Sequence, residues 1–160
     1  MICDALNTFA DGVSVAAAAG TALIGDVIDT GSAHRDMGAS TFASGLYLVV
    51  TASTEIITGG VAGTIKFQLV SDAQAAIATD GSASVHFDTG TFVTDDSAAN
   101  SAELNAGGKI ACIALPLEGR VYERYLGILA VVATTTVTAG AINAFLTQTP
   151  PAWAAYPDGI

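Results

Sequence analysis

Two histidines, two cysteines and fifteen acids are the residues best equipped for chemistry here, and their spacing decides which chemistry is open. His34-Arg35-Asp36 spells the catalytic-loop triplet of a protein kinase. A kinase also needs a glycine-rich phosphate loop, a strand lysine with an acidic partner and a metal-binding triplet, and none accompanies it. The triplet therefore reads as a turn between strands, with Arg35 and Asp36 pairing across it. Zinc asks for ligands a few residues apart, whereas His34, His86, Cys3 and Cys112 stand singly. Asp95, Asp96, Asn100 and Glu103 offer the hard oxygens that calcium prefers, but their spacing matches no EF-hand and the turn glycine is missing. A solvated loop is the expectation there. Nucleophilic catalysis needs a Ser or Cys beside a base and an orienting acid, and no Gly-x-Ser-x-Gly elbow occurs. Gly107-Gly108-Lys109 lacks the first glycine and the following Ser or Thr of a phosphate-binding loop. The sequence thus points away from an enzyme, and to no cofactor and no metal.

The elements that would position these residues are β-strands. Ile65, Phe67 and Leu69 alternate with Lys66 and Gln68, the period of a half-buried strand. Val85-His86-Phe87-Asp88 repeats the pattern, with His86 and Asp88 expected outward. Residues 46–50 form a continuous apolar run, as in a strand buried on both faces. Residues 110–115 and 126–132 read similarly, and 23–29 and 141–147 are weaker strands. About seven to eight strands separated by Gly, Thr, Ser and Asp turns predict an all-β fold, a sandwich or a barrel. Residues 5–10 suggest a short turn, 72–79 a helical turn or a loop, and 95–105 a polar surface loop. Residues 1–149 make one domain. Pro150, Pro151 and Pro157 cannot donate to a ladder, so residues 150–160 read as an extended C-terminal arm.

Composition narrows the function. The chain has 160 residues, 51% hydrophobic and 12% charged, with 5 Lys+Arg against 15 Asp+Glu and a net charge of −10. Nucleic-acid binding needs clustered bases, and these five are scattered. A disordered acidic tail would pair high charge with few apolar residues. The start has no basic region of a signal peptide, which fits synthesis in the cytoplasm. Residues 125–146 are uncharged, yet threonines interrupt them, so two strands and a turn are expected rather than a membrane helix. Two distant cysteines make no disulfide framework. So few ions cannot coat a monomer evenly, which points to surface buried against other chains.

One resemblance runs along nearly the whole chain. Its segments are residues 1–4 and 27–38 with 46–50, then Ile65-Lys66-Phe67-Gln68-Leu69-Val70-Ser71-Asp72, then Leu115-Pro116 through Glu123-Arg124-Tyr125-Leu126, closing on Val137-Thr138-Ala139-Gly140. With these the chain resembles the capsid cement, or decoration, proteins of short-tailed phages of the Bordetella-phage type. The resemblance implies a jelly-roll sandwich on the outer surface of an assembled phage head. It would bridge subunits of the major capsid protein, often as a homodimer, with no catalytic residue. The Pro/Trp/Tyr arm departs from that family. A glycan-binding jelly-roll module of a head fibre is the alternative.

Interaction residues follow from both lines of reasoning. Leu126, Ile128 and Val132 lie in a strand apolar on both faces, which suits pairing with a second copy, although a doubly covered central strand has the same pattern. Trp153 and Tyr156 sit three apart in the arm, so both rings can face one surface, either a neighbouring chain or the chain's own sandwich. Arg120, Glu123 and Arg124 are the densest mixed-charge cluster, expected to order the turn into the following strand or to pair with an acidic loop.

Overall fold

The computed structural model describes residues 5–33, 45–96, 99–116 and 119–149. Cys3, the His34-Arg35-Asp36 triplet and the arm with Trp153 and Tyr156 lie outside the described residues. Among the described residues nine strands follow a 3-10 turn at Ala5–Asn7: β1 Thr8–Ser14, β2 Gly20–Asp29, β3 Tyr47–Ile57, β4 Gly63–Asp72, β5 Ser84–Asp88, β6 Phe92–Thr94, β7 Lys109–Ala114, β8 Tyr125–Ala133 and β9 Ala139–Thr147. They form two antiparallel sheets, β1-β9-β3-β7 and β2-β8-β4-β5, with β6 also paired to β4. The pairing is nested: first strand with last, second with eighth, third with seventh, fourth with fifth. That is the order left when one long antiparallel ribbon rolls over on itself, a jelly roll.

The inner faces carry the core. Ile65, Phe67 and Leu69 of β4, Leu126, Ile128, Ala130 and Val132 of β8, and Leu48, Val50 and Ala52 of β3 are buried in one cluster. A smaller cluster explains why β8, and β4 at Val70, carry apolar residues on the outer face as well. Ile77 and Ala83, from the connection after β4, cover Val70 and Leu129 on the outside of the sheet. Asp72 pins that connection by accepting the Gln74 and Ala78 backbone N–H groups at 3.1 and 3.0 Å. The 72–79 segment is thus a capped loop rather than a helical turn.

Three sequence expectations need correction. Residues 8–10 extend into β1 rather than a turn, because β9 supplies a ladder partner and Asn143 Oδ1 accepts the Gly12 N–H at 2.6 Å. The 95–105 loop is not wholly solvated. Leu104 is buried, and Asn100 accepts the Asp95 N–H and donates to the Ile56 carbonyl. His86 does not point out to solvent. A register shift between Leu69 and Val70 displaces β5, leaves Val85 exposed and turns the His86 ring onto Tyr122.

The β8–β9 turn stores strain. Thr134 has φ 73°, and the Thr135 N–H donates to the Ala133 carbonyl at 2.9 Å, closing a three-residue turn about a β-branched residue. Positive φ costs a non-glycine residue about 1–2 kcal/mol, and glycine returns part of that through its freer unfolded chain. Thr134→Gly is therefore expected to stabilise the fold by about 0.5–1 kcal/mol. A higher urea midpoint with an unchanged slope would show it, and an unchanged midpoint would refute it.

Candidate functional site

The densest side-chain network joins the end of β4, the start of β5 and the segment that enters β8. Ser71 Oγ and His86 Nε2 share a hydrogen bond at 2.7 Å. The Glu123 backbone N–H donates to the same Ser71 oxygen at 2.9 Å. Ser84 donates its hydroxyl to Glu123 Oε1 at 2.7 Å, and Arg120 reaches Ser84 at 3.5 Å. The His86 ring stacks on Tyr122, with centroids 3.8 Å apart and planes 16° from parallel. Tyr122 is buried and donates its hydroxyl to the Pro116 carbonyl at 2.9 Å.

A serine, a histidine and an acid within reach invite comparison with a hydrolytic triad. The geometry assigns them a structural part. Ser71 is fully buried, and its oxygen already receives the Glu123 N–H, so it is not presented to a substrate. The Ser71 hydroxyl is satisfied in both roles when it accepts the Glu123 N–H and donates its proton to Nε2 of a neutral ring. Desolvation by burial favours that neutral ring and lowers the His86 pKa. The Glu123 carboxylate opposes the shift, and the Arg120 guanidinium adds to it. No sequence motif marked this network, because its bonds join residues 15, 39 and 52 positions apart.

The network predicts a pH dependence. Below the ordinary histidine value of 6.5 the unfolded chain takes up a proton that the folded chain refuses until its own lower pKa is reached. Stability conferred by neutral His86 is therefore present above 6.5 and lost as pH falls through that window. Melting temperature is expected to drop on acidification below about pH 6.5, and to drop less steeply in His86→Gln. Parallel melting curves for the two proteins would refute the assignment. Asp29 acts lower on the scale. Hydrogen bonding by Arg124, then the Gly31 N–H, pulls its pKa from 3.8 to about 2, so its contribution is lost only between those values.

Arg124 and Glu123 order the entry to β8, as one of the two sequence alternatives held. Arg124 grips Asp29 through Nε and Nη2, both at 2.8 Å, and its guanidinium lies 5.0 Å over the Tyr125 ring. Its carbonyl accepts the Thr30 N–H and hydroxyl.

The remaining candidates do not converge. His86 lies in one sheet and Cys112 is exposed on β7 of the other. Asn100 uses both ends of its amide on backbone groups, so its oxygen is not offered to a cation. Among the described residues no group of three or more His, Cys, Asp or Glu is placed to hold a metal. A cleft of about 500 Å³ between β1, β2 and β9 is lined by Asp11, Asp26, Asn143 and Phe145, among others. Asn143 is already engaged with Gly12 there. No helix of the described residues is long and apolar enough to cross a membrane, and residues 125–146 form β8, a turn and most of β9.

Leu126, Ile128 and Val132 are corrected as interaction residues. β8 is hydrogen-bonded to β2 on one side and β4 on the other, and all three side chains are buried in the chain's own core. They have neither a free edge nor a free face for a second copy. The doubly covered central strand is the arrangement observed.

Residues 9–146 match the Bbp16 family. The chain belongs to the Bbp16 family. The Bbp16 match runs from the second residue of β1 to the penultimate residue of β9, so it takes in the whole sandwich and every member of the polar network. The name points to a protein of a Bordetella phage. Comparison with curated proteins gives no match.

Proposed function

We infer that this Bbp16-family chain is a capsid cement protein, which binds the outside of an assembled phage head and ties neighbouring major capsid subunits together. The observation that carries the reading is the family match across the entire jelly roll. The Ser71–His86 pair, in which Ser71 is buried, supports it, since the side chains that most resemble catalytic machinery are spent on holding the fold. The role needs no cofactor, no metal and no nucleic acid.

The physics of cementing suits such a domain. A protein that binds only the assembled shell stabilises that state by mass action. Contacts to two or three subunits at once raise the effective concentration of each, so weak contacts suffice. A net charge of −10 favours the outer surface, away from packaged phosphates. A homodimer would double the number of subunits that one particle spans.

Co-sedimentation tests the reading. The purified chain is expected to pellet with assembled heads that lack it, to stay in solution with unassembled capsid subunits, and to raise the temperature at which the heads rupture. Equal binding to free subunits, or no binding to heads, would refute cementing.

A further inference from the structure

Two buried apolar side chains stand apart from the rest of the interior. Val49 is 0% exposed and Phe145 5%, yet neither belongs to the two clusters that take in every other buried apolar residue among those described. They are cross-strand partners on β3 and β9, the two central strands of the β1-β9-β3-β7 sheet. Their neighbours along the strands, Leu48 and Val50 of β3 and Ala144 and Leu146 of β9, face the core. Side chains alternate across a strand, so Val49 and Phe145 point to the outer face. Flanking strands shield only the sides of such a side chain and leave its tip to water, so this face has a cover. The outer face of the other sheet has one in Ile77 and Ala83.

The described neighbours do not supply that cover. β1 and β7 lie in the same sheet. The 3-10 turn at Ala5–Asn7 adjoins β9, but its one large apolar side chain, Leu6, is 79% exposed. Cys112, beside Val49 on β7, is exposed, so the cover lies toward β9. There the cleft of about 500 Å³ leaves room beside Phe145, with Ala5, Thr8 and Asn143 along its wall. The exit from β9 turns the same way. Thr147 shares the outer face with Phe145, and its hydroxyl accepts the Thr149 N–H at 3.3 Å. That bond, two residues ahead, is the one by which a threonine bends a chain. Pro150 and Pro151 follow.

We propose that residues 150–157 fold back across this outer face and lay the Trp153 and Tyr156 rings over Phe145 and Val49. The arrangement holds whether or not the chain cements heads. Phe145 to Thr149 is about 13 Å of strand, and residues 150–157 reach about 25 Å as a polyproline-like segment, so the return is well within their length. The three prolines keep the arm out of the ladder, so it is held by side-chain packing. They also narrow its unfolded conformations, which lowers the entropy lost on docking. Trp153 and Tyr156 are three apart, one turn of such a segment, so both rings meet the same face. Charge selects among occupants. Residues 150–157 carry none, whereas the other segments that join this end of the sheet bring Asp4, or His34, Arg35 and Asp36. An ionised group laid over Val49 and Phe145 would lose its hydration without a partner there.

Trp153 is the chain's single tryptophan, so its fluorescence reads the arm directly. In the full chain its emission is expected to be blue-shifted, and acrylamide to quench it several-fold less than in urea. Phe145→Ala removes the ring beneath the arm and leaves the core face of β9 as it is. Quenching is expected to rise several-fold in that variant while circular dichroism still shows the sheets. Val49→Ala, a smaller cut on the same face, gives the same reading should Phe145→Ala not fold. Trp153→Ala is expected to keep the fold and to melt at a lower temperature. Emission and quenching in the unaltered chain equal to those in urea would overturn the proposal, as would an unchanged melt of Trp153→Ala. Shielding that survives both outer-face variants would give the face to residues 1–4 or 34–44. Shielding that fades on dilution, in step with loss of self-association by sedimentation velocity, would place the arm on a second copy. Either result overturns the fold-back.

Discussion

Gly25→Ala is expected to leave the chain unable to hold its sandwich at physiological temperature. Gly25 sits in the irregular stretch of β2 between Ile24 and Ile28, with φ +69°. A Cβ there would lie 2.0 Å from the Phe9 carbonyl oxygen and 3.0 Å from its carbon. Those are backbone atoms of β1 and cannot swing aside as a flexible side chain does. β1 would have to withdraw, taking the buried Phe9 ring with it. The expected loss is about 4 kcal/mol or more, a large share of the roughly 5–15 kcal/mol that holds a domain folded. Gly12→Ala is the control, because Gly12 also has positive φ but has open space around its Cβ position. Thermal melts of both variants by circular dichroism decide the matter. If Gly25→Ala melts no lower than Gly12→Ala, the close approach of β1 and β2 has been misjudged.

The second large effect belongs to Tyr122. Its ring is buried, stacked on His86 and anchored to Pro116. Tyr122→Ala removes the stack and leaves a cavity beside the main core, an expected loss of about 3–5 kcal/mol. Tyr122→Phe keeps the ring but leaves the Pro116 carbonyl without its donor, an expected loss of about 1–2 kcal/mol. The hydroxyl also has an alkaline signature. Burial pushes its pKa from 10.0 up to about 12, so the folded chain keeps a proton that the unfolded chain releases. Stability from Tyr122 is present below pH 10 and lost as pH rises toward 12, a decline that Tyr122→Phe should flatten. Chemical denaturation at a series of pH values would read both effects. Equal stability of Tyr122→Ala and Tyr122→Phe would mean that the ring packs less than its burial implies.

Much of the strand framework was legible because it is local. Ile65, Phe67 and Leu69 alternate with polar neighbours, and only a strand places such residues on one face. All seven strands expected from such patterns occur, most of them longer than expected. β1 and β6 were missed for physical reasons. Thr8–Ser14 carries an Asp-Gly pair that reads as a turn and becomes a strand only against β9. Phe92–Thr94 is three residues long and takes its conformation from β4.

The candidate site was far less legible. Nothing near His86 in sequence announces Tyr122, and nothing near Ser71 announces Glu123, since the contacts arise from how β4, β5 and the entry to β8 are brought together.

The sequence by itself determined the class of the chain: acidic and β-rich, with scattered bases and strand periods that place Ile65, Phe67 and Leu69 inside. Side-chain period and charge are local properties, so no folded structure is needed to read them. Tertiary structure alone decided which strand lies at the centre and what covers it. Leu126, Ile128 and Val132 have the same apolar pattern whether a second chain or the chain's own strands and loops bury them. The ladders from β2 and β4, and Ile77 packed outside, settle the choice through contacts that no short stretch of sequence contains.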